Sequence, residues 1–472
     1  MRMMNALRAT VATLAASMML AAPVAAQSLT DTLIAAYRNS NLLEQNRAVL
    51  RAADEDVAQA VAALRPVVNF VAQSQAQFSR DSQMGRRNQL SASLGLSASV
   101  TLYDFGRGQM AVQGAKEQVL GVRAALLGLE QQVLLNAVAA FMDVRSAADT
   151  VALRESNVRL ITQEVRAARE RFDVGEGTRT DIAIAEARLA GARSQLASAE
   201  GDLKVAREDY KFATGAYPGQ LRPPPALPRL ARSPEAAQEV ARANHPSIRQ
   251  AQHDAAAADI AVERAATQRL GSVSGSASAN VGVSRNLDSV PPGTSRTGDS
   301  RSLTLGLEYS RPLYSGGALP SAQRQAMARR DAARSGLHQT VAQVLQNVAQ
   351  AWARMEVAAA SIEASERQIR AAQTAYDGVR EEAALGARTT LEVLDAEQEL
   401  ADARAALVQA QAGLQLAAYS VLESMGLLTV EDLNLGIPTY DPEAYFNLVR
   451  DAPARSPQGE ALDRVLQSLG RQ

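Results

Sequence analysis

Two threonine and acid pairs carry the clearest local chemistry in this sequence, Thr178 with Asp181 and Thr389 with Glu392. At that spacing the hydroxyl accepts from the acid residue's amide and the carboxylate accepts from the threonine's amide, the capping box that opens a helix. Gly175 and Gly386 precede the threonines, where the left-handed backbone that closes a helix falls on glycine. The two turns are copies: Gly175 recurs as Gly386, Thr178 as Thr389 and Asp181 as Glu392, at a constant offset of 211.

Nothing in the sequence points to catalysis. It has 0 cysteines, which excludes thiolate nucleophiles, disulfides, cysteine metal sites and a lipid-modified N-terminal cysteine. His245, His253 and His338 lie far apart without ligand spacing and read as structural. No Gly-x-Ser-x-Gly elbow, phosphate loop or His-Glu-x-x-His helix is present. The chain is therefore expected to be no enzyme and to need no cofactor. Lys plus Arg is 49 against Asp plus Glu 50, so there is no basic footprint for nucleic acid.

The elements that position the turns are long helices. Ile182, Leu189, Leu196, Leu203 and Tyr210 recur every seven residues, as do Val393, Leu400, Leu407, Leu414 and Val421. A stripe of alanine runs beside each, Ala185, Ala192, Ala199 and Ala206 in one half and Ala396, Ala403, Ala410 and Ala417 in the other. A seven-residue apolar repeat winds helices into left-handed supercoils, and alanines let backbones approach closely. Residues 107–172 and 319–385 read as the long helices that enter the turns, the first roughly 100 Å if unbroken. Trp352 on the second reads as packing between helices.

Ahead of each long helix the period changes to two. Leu90, Ala92, Leu94, Leu96, Ala98, Val100 and Leu102 alternate with Ser91, Ser93, Gly95, Ser97, Ser99, Thr101 and Tyr103, which predicts a strand with one apolar face. Its partner is residues 68–78, joined by a loop over 80–89. The second half repeats the pair around residues 273–283 and 302–309, joined by a loop over 285–300. Four strands cannot close a barrel, since small barrels need about eight. Alone, they would leave two open edges and a bare apolar face, so the strands demand other subunits.

Domain organisation follows the duplication. Residues 1–26 read as a secretory signal peptide, with Arg2 and Arg8 before a short apolar run and a small-residue exit. Residues 27–214 form the first repeat, in the order helix (29–64), strand hairpin, long helix and heptad helix. Residues 215–234, with six prolines from Pro218 to Pro234, form a stiff linker. The second repeat, 235–428, opens on a helix over 234–269. Residues 429–472 form an equatorial segment and a loose tail, with a short helix at 459–469. After the signal peptide no apolar run is long enough for a spanning helix, so any membrane insertion must use β-strands.

This order, with the Leu102-Tyr103-x-x-Gly106 and Leu313-Tyr314-x-x-Gly317 strand exits and the Gly-x-x-Thr-x-x-Asp/Glu turns, resembles the TolC family of outer-membrane efflux and type I secretion proteins. The likeness covers about residues 29–428. It implies a mainly α fold with a small β part: a homotrimer whose pooled strands form a β-barrel in outer-membrane lipid, continuing into a coiled-coil barrel across the periplasm with an equatorial belt. It implies a passive duct of a Gram-negative cell. Its partners would be a periplasmic adaptor (membrane fusion) protein and an inner-membrane ABC, RND or MFS transporter.

The family's acidic entrance ring matches Glu392 and Asp395, three apart on one helical face. Such a ring favours cations. Its closure latch matches Arg388 with Thr180 and Asp181, while a tyrosine of that network falls at Ala383. The residue-level alternative is that Asp181 and Glu392 serve only as caps and Arg388 is an ordinary solvated tip residue. The alternative for the chain is a periplasmic coiled-coil scaffold without a pore. Cargo, drug or secreted protein, is not written in the sequence.

Overall fold

The computed structural model describes residues 26–81, 85–288, 295–452 and 464. The expected signal peptide and the expected helix at 459–469 therefore lie outside the described residues, Ala26 and Arg464 apart.

The first repeat runs α1 (Leu29–Asn39), α2 (Asn41–Ala62), β1 (Val67–Asp81), β2 (Gly85–Tyr103), α3 (Arg107–Asp173) and α4 (Arg179–Thr214). The second runs α5 (Pro234–Asn244), α6 (Pro246–Thr267), β3 (Ser272–Asn286), β4 (Thr297–Ser310), α7 (Ala318–Ala384) and α8 (Thr390–Ser424), and α9 (Pro442–Val449) follows.

Two expectations need correcting. Residues 29–64 are not one helix: Ser40 is extended (φ −70°, ψ 107°), and its hydroxyl accepts from the Leu43 amide at 3.3 Å to start α2. The second half breaks likewise at His245 (φ −63°, ψ 126°), where the ring of Pro246 disfavours helix for the residue before it. The strands also extend into both expected loops, because ladder bonds are made by backbone and continue through polar side chains. Asp81 pairs with Gly85, and Arg285 with Thr297. The segment just beyond the heptads, for which no element was expected, holds α9, capped by Asp441 with Pro442 at its first turn.

By internal contacts the chain divides into two compact units. Among the described residues, one holds the chain up to Gln45, Leu126–Ile248 and Val341–Thr439; the other holds Asn46–Ala125, Arg249–Thr340 and the chain from Tyr440. In the second unit the strands form one antiparallel sheet in the order β1-β2-β3-β4. Phe70 pairs with Leu96, Leu96 with Ala279 and Ala279 with Leu303, so alternation lines one face mainly with apolar side chains and the other mainly with Ser, Thr, Gly, Asn and Gln. That apolar face is bare: Leu303, Leu305 and Leu307 are 74%, 76% and 73% exposed. In the same unit Arg123 lies over the ring of Phe446 in α9, and Arg47 over Tyr440.

The first unit holds both helix turns. Its largest core joins Leu29, Leu33 and Leu43 to Leu134, Val138 and Phe141 of α3, Tyr210 of α4, and Tyr419, Leu422 and Leu428. α3 is the one described helix apolar and long enough to cross a membrane, and its run from Val133 to Val144 is spent on this core. Residues 215–233 of the linker hold no helix or ladder strand. Its one bridge is parallel, with the Gln27 amide donating to Gln220 and the Arg222 amide to Gln27.

Candidate functional site

The turns close and reopen helices by the same backbone device. At the first, the Glu176 amide donates to the Arg171 carbonyl at 2.8 Å and the Gly175 amide to Phe172 at 3.0 Å. At the second, Ala387 donates to Glu382 at 2.9 Å and Gly386 to Ala383 at 3.0 Å. This is the Schellman pattern, and it needs positive φ at its pivot. Gly175 and Gly386 supply it, at φ +82° and +79°.

Both capping boxes form. The Asp181 amide donates to Thr178 Oγ1 at 3.2 Å, and the Thr178 amide to Asp181 Oδ2 at 2.9 Å. The Glu392 amide donates to Thr389 Oγ1 at 3.3 Å, and the Thr389 amide to Glu392 Oε2 at 2.8 Å. These bonds favour the ionised acids. The Thr178 hydroxyl, then its amide, holds Asp181 below its ordinary value; the Thr389 amide, then Arg388, does so for Glu392.

The second turn carries an arginine bridged to two acids. Arg388 donates from Nε to Glu382 at 2.7 Å and from Nη1 to Glu392 at 2.9 Å, and these carboxylates raise its own pKa. Asp395 pairs with Arg188 of α4. Both expected ring acids are thus partnered by arginines within one chain. Arg388, Thr180 and Asp181 are not brought together there: Thr180 is exposed, Asp181 serves Thr178, and Arg388 serves its own hairpin.

Sequence reasoning missed how α8 is fastened to the first repeat. Arg171 reaches Thr390 at 3.5 Å, Arg188 reaches Asp395, and Arg154 reaches Asp402 at 3.0 Å. Asn157 Nδ2 reaches Glu397 at 3.5 Å. Leu394 joins the core of the first hairpin beside Ile161, Val165, Ala185 and Ala192. One signal was available for Glu397: it stands four residues after Val393 and three before Leu400, on the apolar face of its helix.

A chain of paired helical hairpins with one amphipathic four-stranded sheet defines an outer-membrane channel protein rather than a soluble coiled coil. It belongs to the outer membrane efflux protein family, whose model matches residues 33–216 and 238–427, and so to the TolC family that the turns and strand exits suggest. It is 34% identical to the outer membrane efflux protein BepC of Brucella suis, over 92% of this chain and 93% of that one. It is 28% identical to the alkaline protease secretion protein AprF of Pseudomonas aeruginosa, over 67% of each. Among solved structures, the CusC channel superposes with a TM-score of 0.72 at 19% identity, covering 85% of this chain and 92% of that one. Members of this family are channels that work with adaptors and inner-membrane transporters, which sets aside the scaffold without a pore.

Proposed function

We propose that three copies of the chain form a passive duct through the outer membrane, driven by an inner-membrane ABC, RND or MFS transporter coupled through a periplasmic adaptor. The observation that carries this reading is the sheet, four strands with a bare apolar face. Three such sheets joined at their edges would close a twelve-stranded barrel and turn that face to lipid.

Glu392 and Asp395 from three chains would then ring the periplasmic entrance, and Arg388 would exchange its present partners for Thr180 and Asp181 of a neighbouring copy. Identity to an efflux protein over nearly the whole chain supports small-molecule efflux. The likeness to AprF makes protein secretion the second reading.

Conductance of the purified mature protein in a planar bilayer under a salt gradient tests the duct. A small cation-selective current is expected, and E392Q/D395N together should lower the reversal potential. An unaltered reversal potential would take these acids out of the pore lining. Failure of a folded trimer to insert would count against the barrel.

A further inference from the structure

Glu397 is 3% exposed and Asn157 is 4% exposed. Asn157 Nδ2 donates to Glu397 Oε1 at 3.5 Å, while Glu397 Oε2 and Asn157 Oδ1 are both buried without a hydrogen-bond partner. A buried acceptor left unmade is costly, and two in one contact doubly so. One proton resolves both. Placed on Oε2, it gives Glu397 a hydroxyl that donates to Asn157 Oδ1, and acid and amide then exchange two hydrogen bonds.

We propose that Glu397 and Asn157 form a proton-operated clasp, closed when Glu397 is protonated and released when it ionises, which fastens the second hairpin to α3. Its neighbours are consistent with the neutral acid. Tyr376 of α7 is 8% exposed beside it. Glu164 of α3 opposes ionisation, and only Arg380 of α7 favours it. On its own helix Asp395 pairs with Arg188 and Asp402 with Arg154, and Glu399 is exposed. Burial, more than Glu164, pushes the Glu397 carboxyl up to about 7. The two flanking ion pairs, Arg188 with Asp395 and Arg154 with Asp402, are partly exposed, whereas the central pair is buried.

The sign follows from linkage. The closed clasp holds its proton up to about pH 7, whereas a solvated glutamate loses it near 4.3. Opening therefore becomes roughly tenfold easier per pH unit as pH rises towards about 7, and levels off above it.

Amide hydrogen exchange of the full-length protein in detergent, followed for peptides spanning 390–402 from pH 5 to 8 and corrected for intrinsic base catalysis, reads this opening. The parent is expected to lose protection in that pattern. E397Q keeps an amide in place of the acid and should stay protected with no slope. R380Q alters only an exposed charge and should move the plateau to higher pH. The same slope in E397Q as in the parent overturns the proposal, as does an unmoved plateau in R380Q. Because the readout is exchange rather than current, the result stands apart from whether the tips line a pore.

Discussion

At the scale of the residue, Arg388 separates a stabilising tip contact from a closure device. It bridges Glu382 and Glu392 on the surface of its own hairpin, where ion pairs contribute little, with a median of about 0–1 kcal/mol. Arg388→Ser is therefore expected to leave folding nearly unchanged and yet raise the resting conductance. Unchanged conductance would confine the side chain to its own hairpin. Asp54 poses a different question. It is fully buried with neither carboxylate oxygen bonded, and burial raises its pKa to about 6, against the pull of Arg123. A carboxyl raised in the folded state contributes stability below its unfolded value near 3.9, and that contribution is lost as pH climbs to about 6. Thermal unfolding of the parent should thus show a loss between pH 4 and 6 that is smaller in D54N. Equal losses would mean that Asp54 does not carry the titration.

At the scale of the element, the caps make a local claim with a known magnitude. Thr389→Ala removes the hydroxyl that accepts from the Glu392 amide and should cost about 1 kcal/mol, read as weaker exchange protection in the first turn of α8. Thr178→Ala should do the same in α4. Capping acids also set an acid limit: Asp181 and Glu392 have lowered values, so their contribution is present above the ordinary carboxylate range and lost as pH falls below that range through the lowered values. These turns were legible in the sequence because a glycine, a threonine and an acid at fixed spacing complete the motif among themselves. The alternating strands were legible for the same reason, since each face is written every second residue. The break at Ser40 was not, for no glycine or proline marks it and the hydroxyl that restarts the helix is common on surfaces. Arg188 and Asn157 were missed for a further reason. Their partners Asp395 and Glu397 lie on a helix of the other repeat, and heptads fix the face of a helix without fixing its register against a neighbour.

At the scale of the whole molecule, the sheet must explain why one chain is not enough. β1 and β4 each pair on one side only among the described residues. The leucines of β4 are as exposed as a solvent-facing charge would be, with Leu305 at 76%. A patch of this kind on a soluble body would aggregate, whereas in hydrocarbon it is the stable arrangement. The two faces of β4 can be tested against each other at adjacent residues. Leu305 pairs with Ala277 on the apolar face, and Thr304 pairs with Ser278 on the polar one. Lysine on a lipid face near the bilayer midplane costs about 2–4 kcal/mol per chain, and on a water-filled lumen far less. Threefold repetition in a trimer would multiply the difference. Leu305→Lys is accordingly expected to block insertion of purified protein into liposomes, while Thr304→Lys inserts and alters only ion selectivity. Equal insertion of the two variants would mean that the leucine face does not meet lipid. Failure of both would place the polar face against another protein surface instead of a lumen.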